Sequence, residues 1–116
     1  MSRKVHRVDL NQSSIVGIFL KFGFSVFIAS SMGDGFPDLV VGFCGLNFLV
    51  EIKNRELYSK NRVLLTDDQL QFHGNWKGSI VTIETDSEAI EFCTRVRKLS
   101  KECYLLIAGV SGKFGT

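Results

Sequence analysis

A chain of 116 residues with 45% hydrophobic and 22% charged composition is one domain's worth, residues 1–116, with enough apolar side chain to build a core. One proline and no internal repeat exclude Pro-rich linkers and repeat arrays. A formal net charge of +2 neither demands nor excludes a nucleic-acid partner, and three cysteines without a CxxC pair argue for reduced thiols in the cytoplasm rather than a zinc site or disulfide framework.

Asp9-Leu10-Asn11-Gln12 has the form of a capping box, and Ile15, Ile18, Phe19 and Phe22 then recur at helical spacing until Gly23. Phe24 to Ala29 is rich in strand formers. A glycine-containing loop, Ser30 to Gly35, leads to Pro37, which opens a second strand, Asp38 to Gly42, where a missing N–H costs no ladder bond. Phe43-Cys44-Gly45-Leu46 reads as a tight turn, Asn47 to Lys53 as a third strand, and Asn54 to Asn61 as a polar loop.

Thr66-Asp67-Asp68-Gln69 is a second capping box, with acids suited to a helix N-terminus. Its helix carries Leu70, Phe72, His73 and Trp76 and ends near Gly78. Ser79 to Glu84 is a fourth strand, Asp86 to Leu99 a helix, and Tyr104 to Ala108 a candidate final strand. The order α-β-β-β-α-β-α gives an α/β fold with a central mixed sheet flanked by helices.

The basic start and the apolar stretch Ile15 to Ala29 imitate a signal peptide. Asp9, Lys21 and Gly23 interrupt the pattern, and the stretch is short of the ~20 apolar residues a membrane span needs. Positive charge clusters at Arg3, Lys4 and Arg7, at Lys53, Arg55, Lys60 and Arg62, and at Arg95, Arg97, Lys98 and Lys101. The last cluster reads as solvated surface, while the middle one follows directly on the residues that carry chemistry.

Those residues are Asp38, then twelve intervening positions, then Glu51-Ile52-Lys53. Charges at the ends of apolar strands are unusual, and on a strand Glu51 and Lys53 point to the same face. With Cys44-Gly45 as the two turn residues, Asp38 lies opposite Glu51, with Cβ atoms ~5 Å apart. Two carboxylates so close repel unless a cation lies between them. Oxygen ligands with open positions suit Mg²⁺ or Mn²⁺. Such an ion acidifies a water and neutralises a scissile phosphate, and Lys53 is placed to act on that water or on the phosphate oxygens. The bland alternative is edge-strand surface charge, with Asp38 a turn residue.

The runs Gly35-Phe36-Pro37-Asp38-Leu39-Val40-Val41-Gly42, Phe48-Leu49-Val50-Glu51-Ile52-Lys53 and Leu65-Thr66-Asp67-Asp68-Gln69 resemble stand-alone virus-type replication-repair nuclease (VRR-NUC) domains. These belong to the PD-(D/E)XK superfamily, alongside Holliday-junction resolvases. Asp9 to Gln12 and His73 with Trp76-Lys77-Gly78 also fit, so the resemblance spans about Arg7 to about Phe92. It implies a restriction-endonuclease-like core and a Mg²⁺- or Mn²⁺-dependent DNA endonuclease. It further implies Asp38, Glu51 and the Ile52 carbonyl as metal ligands, Lys53 as catalytic lysine and Gln69 as an active-site glutamine. Branched DNA as substrate, a repair role and a bacterial or phage-infected cell come from the resemblance alone. Many relatives carry an acid on the first helix that reaches the metal; here the candidates are Asp9, Asn11 and Gln12. That departure supports one alternative, a nucleic-acid-binding module without activity.

His73 reads as a packed, hydrogen-bonded residue and Trp76 as core or interface rather than a base-stacking platform. Gly33 and Gly35 read as turn residues that also let DNA approach. The C-terminal Gly109-to-Thr116 segment lacks P-loop spacing and reads as a loop or tail. A homodimer would give so small a domain the surface to grip a junction, with its interface near Phe43 and Leu46 or at the C-terminal segment.

Overall fold

The computed structural model describes residues 5–53 and 65–111, with the side chains of 11–53 and 65–99. Its elements are α1 (Val5–Lys21), β1 (Ser25–Ile28), β2 (Leu39–Phe43), β3 (Leu46–Ile52), α2 (Asp67–Asn75), β4 (Ile80–Ile83) and α3 (Asp86–Ser111). The strands form one mixed sheet in the order β1-β2-β3-β4. β1 and β3 run antiparallel to β2, and β4 runs parallel to β3, which requires the crossover that contains α2. This is the expected α/β architecture in the expected element order.

The β2–β3 hairpin turns on Cys44 (φ 47°) and Gly45 (φ 82°). Two successive left-handed residues make the type I′ turn, whose twist matches that of the flanking strands. The turn fixes the register: Phe43 faces Leu46, Val41 faces Phe48 and Leu39 faces Val50. One face of the hairpin therefore carries Leu39, Val41, Val50 and Ile52. These pack with Ile15 and Phe19 of α1, Ile83 of β4, and Ala89, Cys93 and Val96 of α3 into the core. Phe19 lies edge-on to Phe24 and Phe92, at 5.3 and 6.1 Å between ring centroids. Burial pushes the Cys93 thiol up to about 11, so this cysteine is an inert core residue.

Three expectations are corrected. α1 is already helical at Val5, so Asp9 lies inside the helix and the Asp9–Gln12 box does not start it. A capping side chain works only where the backbone before it is non-helical, and here the chain enters helix a full turn earlier. α3 runs unbroken through Tyr104–Ala108, which is helix and not a final strand. An apolar run fits either element, and no Gly, Pro, Asn or Asp between Leu99 and Tyr104 offers a turn. Finally, Phe43 and Leu46 pack against the core, with Phe43 stacked on Phe24 at 4.7 Å, instead of standing exposed as an interface. The polar loop expected at Asn54–Asn61 and the tail from residue 112 lie outside the described residues. Among the described residues, no helix is long and apolar enough to cross a membrane.

Candidate active site

Asp38 directly precedes β2 and Lys53 directly follows β3, with Glu51 inside β3. Continuing the hairpin register by one residue sets Asp38 opposite Glu51, on the face away from the core. The depth of this cluster is unusual: Glu51 is 2% exposed and Lys53 6%. Buried charges need partners, and the site supplies them from four segments.

The Ile52 N–H donates to Asp38 Oδ2 at 2.8 Å, fixing one carboxylate. The Lys53 N–H donates to the Ile83 carbonyl at 3.0 Å, tying the end of β3 to β4. Gln69 Nε2 donates to Glu51 Oε2 at 2.9 Å, while Gln69 Oε1 accepts from Lys53 Nζ at 2.9 Å. Lys53 Nζ and Glu51 Oε2 are themselves 3.8 Å apart, so the glutamine amide links cation and anion by a hydrogen bond to each.

Gln69 is also the third helical residue of the Thr66 capping box. Its N–H donates to Thr66 Oγ1, and Thr66 N–H donates to Gln69 Oε1. Capping and site function are thus combined in one side chain. α2 is seated by Gly35 (φ 81°), where an added Cβ would lie 2.3 Å from the Asp68 carbonyl oxygen. The room at Gly35 is filled by α2 and not by an approaching strand of DNA, which corrects that expectation.

α1 contributes a contact that no motif announced. Asn11 Nδ2 donates to the Lys53 carbonyl at 3.3 Å. Gln12 lies on the helix's inward stripe with Ile15 and Phe19 and is itself buried. Its place in that stripe, at i, i+3 and i+7, was the signal available in the sequence. The side chain of Asp9 lies outside the described residues.

The electrostatics follow from depth. Burial, and then the negative charge of Asp38, raise Glu51 to about 8. Asp38 is raised by burial, against the Ile52 N–H, the Glu51 hydrogen bond and the Lys53 charge, which all lower it. The two carboxyls therefore resist ionising together near neutrality. Glu51 Oε1 is buried and accepts from no donor. A second buried atom without a partner among the described residues is His73 Nε2, on α2 one turn beyond Gln69. Burial and the charge of Lys53 lower its pKa. His73 was expected to be packed and hydrogen-bonded; it is packed, and this nitrogen is unsatisfied.

These residues suit a hard divalent cation. Glu51 Oε1 lacks a donor, and a cation would stabilise the charge of a carboxylate pair that resists ionising together. The continued register also sets Pro37 opposite Ile52. Proline has no N–H to give the Ile52 carbonyl, and N–H and C=O of one strand residue point the same way. That carbonyl therefore turns toward the side on which Asp38 holds the Ile52 N–H. Among the described residues no group of three or more Asp, Glu, His or Cys side chains gathers at a point.

The surrounding surface is plainer. Arg95 pairs with Glu91 at 2.9 Å, and Arg97 lies over the Phe22 ring at 5.3 Å, so these two cations of the C-terminal cluster are engaged locally. A concavity of about 460 Å³ at the hairpin end, lined by β1, β2 and the turn, contains none of the candidate residues. No family model, curated protein or solved structure matches this chain; what the site can do follows from its own atoms.

Proposed function

We propose that the protein is a metal-dependent endonuclease that hydrolyses DNA phosphodiester bonds. The observation that carries this reading is a carboxylate pair, half-buried Asp38 and buried Glu51, beside a buried lysine whose position is set by Gln69. Such a cluster is costly to fold around, and Mg²⁺ or Mn²⁺ held by Asp38, Glu51 and the Ile52 carbonyl would give it a use. The ion would supply Lewis-acid polarisation of the phosphate and a more acidic water.

The chain's own residues do the rest. Asp38, fixed by the Ile52 N–H, and Glu51, fixed by Gln69, present oxygens that are pre-oriented and need no rearrangement. Lys53 brings a positive charge to the same face, where it orients the attacking water and neutralises charge growing on the phosphate oxygens. Gln69 keeps Lys53 from collapsing onto Glu51. Asn11 holds the Lys53 carbonyl and so the exit of β3. Among the described residues of the site none is placed to read base edges, in keeping with a substrate recognised by structure, including branched DNA. A homodimer would suit two-fold branched substrates.

The test is cleavage of labelled duplex, flap and four-way-junction DNA with Mg²⁺, Mn²⁺ or EDTA, beside Lys53→Ala. Metal-dependent cutting that disappears in the variant is expected. Salt-sensitive DNA binding without cutting under either metal would replace this reading with an inactive binding module, consistent with neutral Asn11 and Gln12 on the first helix.

A further inference from the structure

Gln69, His73 and Trp76 follow one another at i, i+4 and i+7, so one face of α2 leads away from the proposed active site. Beside it runs a ladder of three rings. Phe36, two residues before Asp38, lies edge-on to Phe72 at 5.3 Å and 72°. Phe72 in turn stacks on Trp76 at 5.4 Å with only 16° between ring planes. The inner end of the ladder is packed, whereas Trp76 at the outer end is 43% exposed. Of the two expected readings of Trp76, core or interface, this excludes core.

The exposed indole is held rigidly. The Trp76 N–H donates to the Phe72 carbonyl at 3.0 Å and ends the helix. A Cβ at Gly78 would lie 2.8 Å from Trp76 Nε1, so the glycine lets the chain brace the indole's edge. Phe72 braces one face. Along the chain Trp76 is flanked by Asn75, Lys77, Gly78 and Ser79, all exposed and none acidic, while the acids Asp67 and Asp68 lie at the far end of α2. A flat, pre-oriented aromatic with a neighbouring cation suits an anionic polymer that carries flat rings.

We propose that Trp76 is a stacking platform for an unpaired base of the DNA strand entering the site. The substrate of the nuclease, on which reading this rests, then carries a single-stranded segment beside the scissile bond. Seven helical residues from Gln69 to Trp76 span ~10 Å, about three base steps of ~3.4 Å. Stacking accepts any base, in keeping with a site none of whose described residues is placed to read base edges.

Trp76 is the chain's single tryptophan, so intrinsic fluorescence reports on this ring alone. The whole chain is titrated in EDTA, where no cutting occurs, with oligo-dT and with blunt duplex of equal length. Oligo-dT is expected to quench the emission saturably and more strongly than duplex. Anisotropy of labelled oligo-dT should show Trp76→Phe binding nearly as wild type and Trp76→Leu binding roughly 5- to 100-fold more weakly, with duplex affinity little changed. Circular-dichroism melting confirms that both variants fold. Absence of quenching by oligo-dT, or undiminished binding by Trp76→Leu, overturns the proposal. So does a dimer peak in gel filtration without DNA that Trp76→Leu abolishes, since the ring would then be a contact between copies. Because binding is read in EDTA, a chain that stacks bases but cuts nothing refutes only the nuclease reading.

Discussion

At the open end of the β2–β3 hairpin the two faces of β3 are buried to a similar depth and filled in opposite ways. Leu39 and Val50 are 0% exposed and Ile52 5% on one face; Glu51 is 2% and Lys53 6% on the other. The apolar face gains free energy from every area unit removed from water. The charged face loses hydration, and its internal hydrogen bonds offset that loss only in part. One hairpin thus stabilises the fold on one side and strains it on the other, which is how a pre-organised site is held by a small domain.

The largest expected effect lies on the charged face. Lys53→Ala should lower the rate of DNA cleavage by ~10³-fold or more per folded molecule. A variant that cuts normally would remove Lys53 from the chemistry.

The opposite face should behave in the reverse sense. Leu39→Ala is expected to cost ~2–5 kcal/mol in urea denaturation, with cleavage per folded molecule retained. An equal fall in cleavage per folded molecule from both substitutions would erase the distinction between the faces.

Third in size is a pH effect. The folded-state pKa of Glu51, about 8, lies above the ordinary 4.5, so the folded chain holds a proton that the unfolded chain releases. Stability of the metal-free protein should be greatest below that ordinary value and fall as pH rises to about 8, by a few kcal/mol. Glu51→Gln should remove most of this slope in melting curves. Added Mg²⁺ or Mn²⁺ should raise the wild-type melting temperature more at the upper end of the window, because the ion displaces the proton of Glu51. Metal-independent melting at every pH would count against the ion site.

The smallest effect concerns the capping box. Thr66→Ala should cost ~1 kcal/mol of stability and lower cleavage only a few-fold, since Gln69 keeps its bonds to Glu51 and Lys53. A loss as deep as that of Lys53→Ala would mean that the cap alone fixes the glutamine.

Cys44-Gly45 and the alternating strands beside it determined the hairpin register, and with it the pairing of Asp38 with Glu51, because a two-residue turn of this type admits one alignment. The Thr66–Gln69 box likewise stood in the sequence, since capping is a local bond between residues three apart. The same signature at Asp9–Gln12 failed: whether a box starts a helix depends on the residues before it. Only the tertiary structure decided that Gln69 reaches from its cap to Glu51 and Lys53, that Asn11 crosses from α1 to the Lys53 carbonyl, and that Gly35 is where α2 rests. It decided as well that Glu51 and Lys53 are buried and Trp76 is not. Those contacts join segments distant along the chain, and no local spacing encodes how two elements approach until the core between them has packed.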